Sequence, residues 1–343
     1  MMSRSSNFRP QRSNRDDQLD EILNPQEFNV NGGRENRFRD NDNDQLNLTI
    51  DLTSQSGSVR DWCLREDDGQ GIFLGSRGPD GGRGQGRRPR EEENDELIIE
   101  EPLSLIGDDD QNSFIGTSLD DTFLGNGGND ILYGSYGSDT FDGGVGIDTV
   151  DYSSMDTPTI IGTAGTIYKG VDGVDLVRDV ETIIGAEGQI NSIDASGTDP
   201  NSTASIFVDL AIGELTVNDI PFIGSLTFST ENFQNAIGSN NDDILIGNNQ
   251  SNELIGGAGN DKISGGLGPN FLTGGTGADT FIFNGGNDTI TDFNFTDGDL
   301  IDVETQYSTI QQTGNDTILD FDTGGQITLI GIEQTDIQMD WFM

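Results

Sequence analysis

Histidine is absent from all 343 residues, and there is a single cysteine, Cys63. Without histidine, neither a His-Glu-x-x-His zinc site nor a Ser-His-Asp triad can be assembled. No Gly-x-Ser-x-Gly elbow occurs either. One cysteine excludes an intrachain disulfide, and Cys63 in a polar stretch with no histidine partner reads as an incidental thiol. Basic residues are scarce in most of the chain. Fourteen of the 17 lie in the first 90 residues, leaving Lys169, Arg178 and Lys262 against 46 acidic side chains from residue 91 onward, a net charge of −43. Self-repulsion of that size opposes a compact state unless counter-cations are held. It argues against nucleic acid and anionic membrane as partners of this region. No apolar run approaches the ~20 residues of a membrane span, so membrane insertion is not expected. The N-terminal MMSRSSNFRPQRSNRDDQ has no apolar core, and no secretory signal peptide is expected there.

What is present, in quantity, is glycine at a fixed interval. Gly107, Gly116, Gly125, Gly134 and Gly143 recur every nine residues, as do Gly238, Gly247, Gly256, Gly265 and Gly274. Five residues after each glycine stands an aspartate or asparagine: Asn112, Asp121, Asp130, Asp139 and Asp148, then Asp243, Asn252, Asp261, Asn270 and Asp279. Seven after it stands an apolar residue, as in Phe123, Leu132 and Phe141 or Leu254, Ile263 and Leu272. A flexible acidic linker has no use for an apolar residue in strict phase. Units this short bury that residue by stacking on their neighbours. The expected fold is all-β, a tight turn and a very short strand per unit.

The period divides the chain. Residues 1–94 are polar, of mixed charge and expected to be mostly disordered, with two fragments that break the pattern. Leu46, Leu48, Ile50 and Leu52 alternate with polar residues as a strand does, and Gly71-Ile72-Phe73-Leu74 is a short apolar patch. The first repeat block runs over 95–151 and the second over 238–291, where Asp288 and Ile290 hold the register for one further turn. Between them, 152–237 loses the period but keeps β-like runs at 205–210 and 214–217, and reads as an irregular β spacer continuing the stack. Residues 292–343 carry three more such runs, Asp299–Val303, Asp316–Asp322 and Gln326–Ile330, and read as a C-terminal β cap.

Stacked coils repeat at the strand spacing of ~4.8 Å. If two nonapeptides make one coil, residues 18 apart lie one above the other. A cation midway between two such carboxylates is ~2.4 Å from each, the range of calcium–oxygen bonds. Magnesium prefers shorter bonds and strict octahedral geometry, and zinc prefers Cys and His. Calcium is therefore the expected ion, and Asp121, Asp130, Asp139, Asp148, Asp243, Asp261, Asp279 and Asp288 are its expected ligands. The all-aspartate pairs are Asp121/Asp139, Asp130/Asp148, Asp243/Asp261 and Asp261/Asp279; Asn252/Asn270 has no charge and should bind weakly. The first block is thus charged on both of its edges, and the second on one.

Gly256-Gly257-Ala258-Gly259-Asn260-Asp261-Lys262-Ile263-Ser264, Gly274–Ile282 and Gly143–Asp151 each fit the motif Gly-Gly-x-Gly-x-Asp-x-apolar-x in full. They resemble the repeats-in-toxin (RTX) family of hemolysin-type calcium-binding repeats. The resemblance implies a right-handed parallel β-roll, a β-solenoid of stacked nonapeptide coils. It also implies a secreted protein exported by a type I secretion apparatus, with an uncleaved signal in the C-terminal ~50 residues. A non-catalytic component of the cell surface or extracellular matrix is expected, with calcium ions, the secretion apparatus and cell-surface polysaccharide as partner classes. The alternative is an accessory or truncated relative of a larger secreted toxin, adhesin or carboxylate-based polysaccharide enzyme.

Overall fold

The nine residues of a unit divide their work between a turn and a strand. Thr122–Leu124, Ile131–Tyr133, Thr140–Asp142 and Thr149–Asp151 are three-residue strands with a buried middle residue and partly exposed flanks. Side chains alternate across a strand, so only Phe123, Leu132, Phe141 and Val150 turn inward, and all four are fully buried. The turns need left-handed backbone. Gly257 and Gly259 lie at φ 111° and 124°, which an L side chain rarely tolerates. The computed structural model describes residues 48–51, 62–66, 72–76, 102–303 and 307–343.

Successive units alternate between a 15-stranded and an 11-stranded sheet. Thr122–Leu124 pairs in parallel with Thr140–Asp142, Thr122 opposite Thr140, and Ile131–Tyr133 with Thr149–Asp151, Ile131 opposite Thr149. In the second block Leu245 faces Ile263 and Ile263 faces Phe281, while Leu254 faces Leu272 and Leu272 faces Ile290. Two nonapeptides therefore complete one coil of a parallel β-roll. The stacked rings of Phe123 and Phe141 have centroids 4.9 Å apart and planes 8° apart, close to the ~4.8 Å strand spacing. Each coil is the floor on which the next one's core residue rests.

The period fails between residues 152 and 237 because antiparallel excursions are inserted into both sheets. In the larger sheet, Ile160–Ile161, Thr166–Tyr168 and Val174–Arg178 form an antiparallel triplet whose last strand lies parallel on Thr140–Asp142. In the smaller sheet, Ser205–Asp209, Glu214–Ile220 and Gly224–Glu231 form a meander. It rests on Thr182–Ile184 at one side and Ile244–Ile246 at the other. One hydrophobic core, from Phe114 to Trp341, runs through both repeat blocks and the segment between them.

Beyond the second block the parallel stack ends in antiparallel strands, Tyr307–Thr313 on Asp316–Phe321 on Gln326–Leu329. Tyr307–Thr313 is the strand the sequence pattern does not announce. Buried Trp341 packs on Phe293 and Phe295, with ring centroids 5.1 and 5.7 Å away. Such a cover protects the last coil from pairing with another chain. In the region read as disordered, Leu48–Asp51 pairs in parallel with Leu103–Ile106, and Trp62–Glu66 pairs antiparallel with Ile72–Ser76. The rest of residues 1–94, and with it the expectation of disorder, lies outside the described residues. No helix among the described residues is long and apolar enough to cross a membrane.

Candidate metal centre

All the repeat aspartates except Asp288, which lies within the strand Asn287–Ile290, stand immediately before a short strand. Asp121, Asp130, Asp139, Asp148, Asp243, Asp261, Asp279 and Asp288 are all buried, none more than 2% exposed. They form two rows. Asp130, Asp148, Asp243, Asp261 and Asp279 precede strands of the smaller sheet; Asp121 and Asp139 precede strands of the larger one, and Asp288 lies within its strand Asn287–Ile290. The two rows run along opposite edges of the roll.

Strand spacing alone suggests a symmetric bridge between consecutive carboxylates; the described residues show a link of another kind. The backbone N–H of one aspartate donates to Oδ1 of the aspartate a coil later: Asp121 to Asp139 at 2.9 Å, Asp130 to Asp148 at 2.7 Å, Asp243 to Asp261 at 2.8 Å and Asp261 to Asp279 at 2.9 Å. One oxygen of each of these carboxylates thus joins coils, and Oδ2 is the oxygen that the ladder does not use.

The fate of Oδ2 differs between the edges. On the smaller-sheet edge, Oδ2 of Asp130, Asp148, Asp261 and Asp279 is buried without any hydrogen-bond partner. A buried, unpartnered polar atom costs ~1–3 kcal/mol, more when charged. On the larger-sheet edge, Asp121 Oδ2 accepts from the Thr117 N–H at 2.6 Å and its hydroxyl at 3.1 Å. Asp139 Oδ2 accepts from the Ser135 hydroxyl at 3.0 Å and pairs with the Lys169 ammonium at 3.3 Å. Asp243 is the exception on the smaller-sheet edge: Ser239 N–H and hydroxyl supply its Oδ2. Asn270 Nδ2 donates to Asp288 Oδ1 at 2.7 Å.

Electrostatics follows burial. Desolvation pushes Asp130 and Asp261 up to about 7 and Asp279 up to about 6, although a backbone N–H bond on each pulls the other way. Burial likewise raises Asp288 to about 7 and Asp139 to about 6. A cation beside these oxygens would reverse the cost of ionising them.

The surroundings offer only oxygen. A methyl group placed on Gly125 would collide with both Asp130 Oδ2 and the Gly143 carbonyl oxygen, and one on Gly256 with Asp261 Oδ2 and the Gly274 carbonyl oxygen. Glycine at the head of the unit lets a carboxylate and a carbonyl of the next coil converge. Among the described residues no three His, Cys, Asp or Glu side chains gather at one point. Ligation here would be shared between carboxylates and backbone carbonyls, a donor set suited to calcium. These residues fit that ion.

Four further side chains extend the rows and escaped the sequence reading. The Asp139 N–H donates to Asp175 Oδ1 at 2.9 Å, and the Asp148 N–H to Glu181 Oε2 at 2.8 Å. The Asn191 N–H donates to Gln234 at 2.9 Å, and the Asp279 N–H to Asp299 Oδ1 at 3.0 Å. Asp299 was within reach, since it heads a β-like run 20 residues after Asp279. Asp175 was too, since it falls on the period four units after Asp139, with Gly170 five residues before it and Val177 two after. Gln234 is in phase with Asp243 but has Ser229 in place of the leading glycine, and Glu181 stands off the period.

The family model for the RTX calcium-binding nonapeptide repeat (4 copies) matches residues 115–150, 237–272 and 255–290, which are the coils just described. Among solved structures the chain is similar to the extracellular lipase LipA from Serratia marcescens, with 22% identity and a TM-score of 0.25. That similarity covers 72% of this chain, which spans only 40% of the lipase. No curated protein matches the chain. The chain thus carries RTX calcium-binding nonapeptide repeats over residues 115–150 and 237–290, where the coil geometry and the oxygen donors were found.

Proposed function

We propose that the chain is a secreted protein that folds when calcium binds its repeats outside the cell and serves, without catalysis, in the cell surface or extracellular matrix. The observation that carries the reading is the row of four buried Oδ2 atoms, on Asp130, Asp148, Asp261 and Asp279, with no donor. Together with a net charge of −43 beyond residue 90, they make the calcium-free roll costly to form. Four sites at ten times their dissociation constant would contribute on the order of 6 kcal/mol, comparable to the stability of a whole domain. Extracellular calcium modules bind at ~0.1–1 mM, so the same chain would stay unfolded at cytosolic calcium. Circular dichroism in chelator should show a mostly disordered spectrum that gains strong β signal on addition of millimolar calcium. An unchanged spectrum would sink the reading.

Export through a type I apparatus belongs to the same proposal. A channel that threads unfolded chains suits a repeat that folds only where calcium is abundant. Deleting residues 294–343 should trap the protein inside the cell, and deleting 1–90 should leave export intact. The opposite pattern would overturn this route. The absence of histidine supports a non-catalytic role, since it removes the commonest general base.

A further inference from the structure

Lys169 is one of three basic residues beyond position 90, and its side chain is completely buried. An ammonium in that setting is tolerated only with close partners, and it has three. Nζ lies 2.6 Å from Asp175 Oδ1 and 3.3 Å from Asp139 Oδ2, and donates to the Ser135 carbonyl oxygen at 2.5 Å. These use all three N–H donors of the group. Asp139 and Asp175 are consecutive rungs of the larger-sheet edge, joined by the Asp139 N–H, and Ser135 belongs to the turn that Asp139 ends. A carboxylate oxygen and a backbone carbonyl of the neighbouring coil likewise converge on the opposite edge, as Asp130 Oδ2 does with Gly143 and Asp261 Oδ2 with Gly274, but there four Oδ2 atoms have no partner. Around Lys169 no such atom remains. Asp139 Oδ2 also takes the Ser135 hydroxyl, and Asp175 Oδ2 takes the Tyr152 hydroxyl at 2.8 Å.

Lys169 arrives from off the repeat. It follows Thr166–Tyr168 in the first excursion of the larger sheet, and the turn it opens closes with its N–H on the Gly173 carbonyl at 3.0 Å before Val174–Arg178 begins. The hairpin thus lays a long cationic side chain over the end of the first block.

We infer that the Lys169 ammonium is a resident counter-cation, filling a position in the aspartate ladder that a divalent hard cation such as calcium would otherwise take. The Asp139–Asp175 rung is then held without metal, and the junction between the first block and the segment after it is the calcium-independent part of the roll. Removing the ammonium converts this position into a further calcium site. The inference rests on the calcium reading of the opposite edge.

The test counts ions and follows amide exchange in the full chain. In chelator, wild-type amides of residues 139–142 and 174–178 should exchange more slowly than those of 261–264 and 280–283, with calcium protecting chiefly the latter. Lys169→Ala should lose that protection in chelator, regain it in calcium, and bind one more calcium ion per chain in equilibrium dialysis. Lys169→Met combined with Asp175→Asn removes both charges, and should stay protected in chelator without gaining an ion. Equal exchange of the two regions in chelated wild type overturns the inference. So does an unchanged ion count in Lys169→Ala, or a Lys169→Ala chain that calcium fails to restore. A wild-type chain that takes up no calcium fails the functional reading instead, whereas one that binds it with no gain in Lys169→Ala fails this inference alone.

Discussion

Along the edge that leads into the smaller sheet, Asp130, Asp148, Asp261 and Asp279 each keep one buried oxygen without a donor. Along the edge that leads into the larger sheet, Thr117, Ser135, Lys169 and Tyr152 supply the carboxylates of Asp121, Asp139 and Asp175, and the second block uses Asn252 and Asn270 in place of charge. Both edges are built from the same nonapeptide and both use Oδ1, or the asparagine equivalent, to tie coils together. They differ in how buried negative charge is neutralised. On one edge hydroxyls and an ammonium from within the chain supply Asp121, Asp139 and Asp175; on the other, four oxygens lack any such donor and an ion from outside would supply them. A repeat built this way keeps its ladder everywhere and would bind metal chiefly along one side.

Single-residue changes test that contrast most directly. Asp261→Ala removes one unpartnered oxygen and the Oδ1 acceptor of the Asp243 N–H. It should raise the calcium midpoint of folding by about ten-fold or more, ~1.4 kcal/mol. Asn252→Ala, on the other edge, should shift it far less. In the first block the sequence pattern treats the edges alike, yet Asp130→Asn should lose a bound calcium and Asp121→Asn should not. Calcium titrations of the four variants decide the matter, and equal effects on the two edges would break the comparison.

Acidity gives a second and smaller handle. In calcium-free protein the folded-state value of Asp130 and Asp261 lies at about 7, raised by burial from the ordinary 3.8. The folded chain then holds protons that the unfolded chain releases, so stability is full below about 4 and is lost as pH rises through 7. Chelated protein should accordingly regain β signal on acidification from pH ~8 to pH ~5. Asp261→Asn should reduce the gain, which separates this effect from general relief of charge repulsion. A variant that gains as much as wild type would place the titration elsewhere.

The smallest effect belongs to the internally neutralised edge. Thr117→Val removes a hydroxyl 3.2 and 3.1 Å from the two Asp121 oxygens and leaves the backbone N–H in place. It should cost about 1 kcal/mol in thermal unfolding at saturating calcium, with the number of bound ions unchanged. A lost ion would show that this edge also depends on metal.

The parallel roll, the 18-residue coil, the inward Phe123, Leu132 and Phe141, and the burial of all eight expected ligands follow from residues within one nonapeptide. That information is local, because each unit repeats the same turn, strand and stacking demand, and so it is legible in the sequence. The ladder was not, because it rests on which carboxylate oxygen the neighbouring N–H reaches, a choice made by turn conformation rather than by spacing. Nor were Glu181 and Lys169, which lie 33 and 30 residues from the aspartates they serve. Antiparallel excursions of no fixed period bring them back to the edge. The sequence by itself determined that carboxylates line the roll and suit a hard cation. Only the tertiary structure decided which are left without a partner, because that depends on donors delivered from distant segments and not on the repeat.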